Sequence, residues 1–157
     1  PNGADRFYNL VKVGYYDDTR IYRVVKDFMA QWGFNGEPRV NAVWRNYPIP
    51  DDPVKQTNRR GTVTFATSGP NARTTQVFIN YADNAFLDES GFAPFGEVVE
   101  GMDVALKFYA GYGDGPPKGQ GPNQQQIFTD GNAYLDASFP QLTKIVRMTL
   151  LEAPPAG

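Results

Sequence analysis

The chain has 157 residues, 15 basic and 17 acidic side chains for a net charge of -2, and neither cysteine nor histidine. Those two absences exclude disulfides, thiolate and imidazole metal ligands, cysteine nucleophiles and every mechanism built on a histidine base. A nearly balanced charge lacks the cationic excess that a polyanion needs, and no apolar run approaches the roughly 18–20 residues of a membrane-spanning helix, so neither nucleic acid nor a membrane is an expected partner.

With 41% hydrophobic and 20% charged residues, the composition predicts one folded domain. Ala4, Phe7, Leu10 and Val11 recur at helical spacing behind Asp5 and before Gly14, which predicts a helix over 3–13. A turn follows at 15–18, and two β-rich runs at 21–25 and 28–32 read as adjacent strands. From 33 to 58 the periodicity fades into a stretch containing Pro48, Pro50 and Pro53, read as a long surface excursion. Strands are predicted again at 62–67, 76–80 and 95–99. A second helix opens near Asp103, with Val104, Ala105 and Phe108 on one face, and stops near Gly111. Residues 111–123 read as a Gly- and Pro-rich loop, 132–139 as a short helical turn, and 143–151 as a half-buried strand. The pattern suggests a mostly antiparallel barrel or sandwich with helices over its openings.

Most candidate chemistry has a plain reading. The glycines at 111, 113 and 115 follow a helix rather than precede one, and Pro116 and Pro117 lack N–H groups, so they read as a loop and not a phosphate cradle. Asp17 with Asp18, Asp51 with Asp52, and Asp88 with Glu89 fall in predicted turns, where Asp bonds locally. Lys55, Arg59 and Arg60 read as a solvated loop. Arg23 is different, because it sits mid-strand on a face that is otherwise apolar. Either it is a structural arginine paired with an acid, or it is functional. Phe28, Met29 and Gln31, with Gln76 and Phe78 alternating on their own strand, would give an apolar notch with a directed donor; the alternative is a core with incidental amides. A carbohydrate-binding surface using Trp32, Trp44 and the many tyrosines is a weaker reading.

The runs Tyr22-Arg23-Val24-Val25-Lys26-Asp27-Phe28-Met29-Ala30-Gln31, Arg60-Gly61-Thr62-Val63-Thr64-Phe65-Ala66, Ser68-Gly69-Pro70-Asn71, Thr75-Gln76-Val77-Phe78-Ile79, Phe86-Leu87-Asp88 and Phe95-Gly96-Glu97-Val98-Val99-Glu100-Gly101-Met102-Asp103 stand in the order and spacing typical of cyclophilins. Over almost its whole length the sequence resembles a cyclophilin-type peptidyl-prolyl cis-trans isomerase. The resemblance implies an antiparallel eight-stranded barrel capped by two helices, an activity that rotates X-Pro bonds and assists protein folding, no cofactor or metal, and proline-containing peptides and unfolded protein clients as partners. It implies Arg23 as the catalytic arginine and Phe28, Met29, Phe78 and Leu87 as the proline pocket. Gln31 and Gln76 would orient the peptide, Ala66 and Thr67 would hold its backbone, and Phe86 and Phe92 would stand at the rim. A non-catalytic proline-peptide binding module using the same groove is the alternative.

Five positions depart from the family pattern, two of them Thr67 in place of a common asparagine and Val77 in place of a common aromatic. Tyr22 stands where a histidine is usual before the arginine, Phe86 replaces a usual tryptophan, and Phe92 replaces a second frequent histidine. Loss of the indole N–H predicts weak binding of cyclosporin-type macrocycles. Relatives also carry a β-hairpin before the first helix, whereas Pro1 falls almost at that helix. The expectation is therefore a single domain over 1–157 that lacks its first two strands, through truncation at the N-terminus.

Overall fold

The computed structural model describes residues 1–151. Helix α1 (Asn2–Lys12) turns Leu10 and Val11 into the core. Its start is held by Asp52, whose carboxylate accepts from the Asn2 and Gly3 N–H groups at 2.8 Å each, satisfying donors that a helix leaves free. Burial pushes the Asp52 carboxyl up, but these bonds and Arg73 outweigh it and leave its pKa lowered.

Strands β1 (Thr19–Arg20), β2 (Arg23–Val25), β3 (Met29–Trp32), β4 (Thr62–Phe65), β5 (Val77–Asn80), β6 (Pro94–Glu97) and β7 (Lys144–Ile145) follow in chain order. Five of them form an antiparallel sheet of order β2-β3-β5-β4-β6, and β1 pairs with β7. Among the described residues the two sheets do not close into a barrel. Register decides which side chains meet. Val24, Ala30, Ile79 and Val63 are successive partners across four strands and point into the main apolar cluster with Leu10, Tyr16, Trp32 and Phe65. Because alternate residues take opposite faces, the next row, Arg23, Gln31, Phe78 and Thr64, faces the other way.

Several expectations need correction. Helix α2 (Pro38–Trp44) lies inside the supposed excursion: Glu37 caps it by accepting from Arg39 N–H, and Pro38 occupies the first turn, where its missing N–H costs nothing. Helix α3 (Met102–Ala105) is much shorter than expected. Val104 is 61% exposed; local turn bonds carry on as far as Phe108, where tertiary partners take over, with Tyr81 donating to Ala105 O and Tyr109 N–H donating to Thr143 Oγ1. Helix α4 (Gln124–Ser138) is longer than the predicted turn. Asn123 caps it, and it kinks at Gly131, where φ is 62° and an added Cβ would strike Gly36 O. The predicted strand over 143–151 contracts to two residues, because β1 offers only a two-residue edge; Val146 beyond it is exposed.

Candidate active site

The outward row forms one wall of a cleft of about 310 Å³. Its floor is a small apolar cluster of Met29, Phe78 and Leu87, with Phe28, Ala66 and Phe92 packed against it. Phe92 meets Phe78 edge-on at 5.9 Å between ring centroids. Arg23, Gln31, Thr67 and Gln76 are among its polar lining residues. An apolar notch flanked by a guanidinium and two amides can receive a compact apolar ring while hydrogen-bonding the backbone on either side of it.

The polar groups form one chain. Asp114 accepts from Arg23 Nε at 2.8 Å and from Nη2 at 3.1 Å, a two-point fork that fixes the guanidinium plane. Arg23 Nη1 donates to Gln31 Oε1 at 2.9 Å, Gln31 Nε2 donates to the Tyr22 hydroxyl at 2.6 Å, and that hydroxyl donates to Gln76 Oε1 at 2.6 Å. The Arg23 hydrogen bond holds the Asp114 carboxyl below the usual carboxylate range, against the opposing effect of burial. Burial pushes the Tyr22 phenol up, so its proton is retained near neutrality.

Beneath the apolar floor a buried amide network sets the loop that carries Leu87 and Phe92. Asn58 is fully buried, and its Nδ2 donates to Asp88 Oδ1 at 2.7 Å and to Phe92 O at 2.9 Å. Thr64 and Asn80 donate to Asn58 Oδ1. Asn84 Nδ2 donates to Phe28 O at 2.9 Å, and the chain runs on into a 3-10 turn at Ala85–Leu87.

Of the residues singled out in the sequence, Arg23, Phe28, Met29, Gln31, Ala66, Thr67, Gln76, Phe78, Leu87 and Phe92 line this one cleft. Phe86 does not; it is 62% exposed and stacks on the outside of Phe28 at 6.0 Å. Both readings of Arg23 meet in one geometry, since it is paired with an acid and also lines the cleft. Sequence reasoning missed Asp114, which lies between two glycines in a loop and gives no local signal of a distant partner. It also missed Ser68, Ala72, Thr74 and Gln124 on the cleft wall.

The other candidates lie elsewhere. Trp32 is buried, which removes one of the two tryptophans from the supposed carbohydrate platform. Arg59 pairs with Glu97, Asp18 with Arg20, and Asp51 bonds the turn at Asn71. Among the described residues no group of three or more acidic side chains is placed to hold a metal ion. No helix among them is long and apolar enough to cross a membrane.

Residues 1–128 match the family described as "Cyclophilin type peptidyl-prolyl cis-trans isomerase/CLD". Peptidyl-prolyl cis-trans isomerase A of Dickeya dadantii is 40% identical over 114 residues, covering 68% of this chain and 59% of that protein. The peptidyl-prolyl cis-trans isomerase of Acinetobacter baylyi is 40% identical over 113 residues, covering 68% and 60%. The chain thus spans about three fifths of these two relatives' length. Peptidyl-prolyl cis-trans isomerase B of Escherichia coli is 36% identical over 116 residues, covering 68% and 70%. A Cryptosporidium parvum cyclophilin solved in the presence of the dipeptide Ala-Pro superimposes with a TM-score of 0.56 at 22% identity, covering 76% of this chain and 80% of that one; it supports the fold.

Proposed function

We infer, for a chain that belongs to the cyclophilin-type peptidyl-prolyl cis-trans isomerase family, that the cleft binds proline-containing peptides and rotates their X-Pro bonds. The X-Pro amide resists rotation by roughly 18–20 kcal/mol because resonance gives its C–N bond double-bond character. In the twisted state the nitrogen becomes pyramidal and regains its lone pair, so a fixed N–H donor beside it stabilises that state over either planar isomer. Lowering the barrier by about 4–7 kcal/mol accelerates rotation by roughly 10³ to 10⁵. No proton transfer or covalent step is required, in keeping with a chain that has no histidine or cysteine.

The observation that carries this reading is the state of Arg23. A guanidinium has five N–H groups; Asp114 takes those on Nε and one on Nη2, and Gln31 takes one on Nη1. One N–H remains on each Nη, on a group whose plane is already fixed. Arg23 is then the electrostatic catalyst, Phe28, Met29, Phe78 and Leu87 receive the pyrrolidine ring with Phe92 at the rim, and Gln31, Gln76, Ala66 and Thr67 hold the peptide chain. The relatives' names and the Ala-Pro dipeptide of the structural neighbour support the choice of substrate. Unfolded chains with accessible prolines are the corresponding clients. The Phe86 side chain has no N–H donor and lies outside the cleft lining, which supports weak affinity for cyclosporin-type macrocycles.

We also propose that the two sheets are parts of one eight-stranded, helix-capped barrel. The antiparallel order of the five-stranded sheet and the likeness in fold to the Cryptosporidium parvum cyclophilin support that reading. For the activity, exchange spectroscopy on an Ala-Pro peptide is the test. Catalytic amounts of the protein are expected to speed cis-trans exchange. Shifted peptide resonances without faster exchange would instead favour the non-catalytic binding module.

A further inference from the structure

Tyr22 is 1% exposed and lies behind the cleft, not among its lining residues. It packs in a second apolar cluster with Ile127, Leu135 and Leu142, yet its hydroxyl is wedged between the two amides of the site. The direction of those bonds is forced by chemistry. Arg23 can only donate, so Gln31 must turn its oxygen to Arg23 and its NH2 to Tyr22. Having accepted there, the Tyr22 hydroxyl spends its single proton on Gln76 Oε1. Gln76 is left with Nε2, whose other contact is a marginal 3.5 Å one to Thr75 Oγ1.

We propose that Tyr22 is a positioning residue that locks the Gln76 amide with its N–H donors toward the bound peptide, so that the cleft offers donors from both Arg23 and Gln76 and selects peptides by two backbone carbonyl oxygens flanking the proline. Without the hydroxyl the Gln76 amide is free to turn over and set an oxygen against a peptide oxygen. The inference rests on the isomerase reading and goes beyond it, since nothing in rotation about an amide requires a tyrosine behind the site.

The test is a double-mutant cycle on an Ala-Pro peptide, with kcat/KM and the 15N-edited signal of the Gln76 side-chain amide as readouts. Losing one oriented hydrogen bond corresponds to about a tenfold fall in kcat/KM for Tyr22→Phe. In a Gln76→Ala background the same substitution is expected to change kcat/KM by less than about twofold, because Tyr22 acts through Gln76. Peptide should move the Gln76 NH2 signal in the wild type and leave it unmoved in Tyr22→Phe. If Tyr22→Phe does not fold, Gln31→Glu carries the test: a carboxylate still accepts from Arg23 but has no N–H for Tyr22, and draws the hydroxyl's proton away from Gln76. The same tenfold loss is expected. Wild-type kcat/KM in either folded variant, or an undiminished effect of Tyr22→Phe without Gln76, would overturn the proposal and leave the isomerase reading standing. An inactive wild-type protein would overturn that reading, and this one with it.

Discussion

Arg23 is held at the cleft by an acid 91 residues further along the chain. The Arg23–Asp114 fork is about three-quarters shielded at both ends, so its bonds are worth more than an exposed pair's while still being partly screened. Asp114→Asn removes the charge but keeps one acceptor. It is expected to lower kcat/KM about tenfold through a loosened guanidinium, with an unfolding free energy within about 1 kcal/mol of wild type; peptide exchange assays and urea titration check the two halves. The Asp114 pKa is depressed, chiefly by the Arg23 hydrogen bond. A depressed carboxylate contributes stability above its unfolded value of about 3.9 and loses it as pH falls through the folded value. The brace therefore persists through neutrality, and kcat/KM measured between pH 5 and 8 should be flat, with no histidine to impose a limb. A pronounced limb near pH 6.5 would contradict this account of the site. Arg23, Gln31 and Phe78 were legible in the sequence because a strand's two-residue period places them on one face. Asp114 was not, since a loop carries no period from which its partner can be read.

At the scale of elements, the strands that carry the site were legible because apolar alternation bounded by turn residues is a local property. What the sequence concealed was settled by contacts between distant segments. Helix α2 left a trace in Glu37 and Pro38, a cap followed by a first-turn proline, but the surrounding prolines masked it. Helix α4 was hidden by its polar Gln124–Gln126 start and by Gly131, whose φ of 62° lets the backbone dock against Gly36. Gly131→Ala is expected to destabilise the fold by about 1–3 kcal/mol, measured as a lowered urea midpoint. The strand expected over 143–151 had the right alternation and too short a partner edge. Val146→Asp should accordingly change stability by less than about 0.5 kcal/mol, as at an ordinary exposed position; a large loss in chemical denaturation would show that Val146 is covered. Asn58, in contrast, ties Asp88, Phe92, Thr64 and Asn80 together without any exposed surface. Replacing it by alanine strands several buried polar groups and should cost about 1–3 kcal/mol per unsatisfied group, with a raised KM for proline peptides as Leu87 and Phe92 lose their anchor.

Across the whole molecule, the family match ends at residue 128, but the packing that supports the site does not. Leu135 and Leu142 lie beyond that point and close the cluster around Tyr22, the pivot of the site's polar chain. Leu135→Ala should cost about 2–5 kcal/mol in chemical denaturation, and a cost near zero would detach that segment from the site. The molecule thus combines a family sheet, whose outward row carries Arg23, with a loop and helix that brace that row from behind and from the side. In the proposed isomerase the braced Arg23 guanidinium lowers the barrier to X-Pro rotation. Cis-trans exchange of an Ala-Pro peptide, measured with equal amounts of the wild type and Arg23→Ala, tests it most directly. The expected result is strong acceleration by the wild type and at least about a hundredfold loss of kcat/KM in Arg23→Ala at an unchanged unfolding midpoint; equal turnover by the two proteins, or none by the wild type, would contradict it.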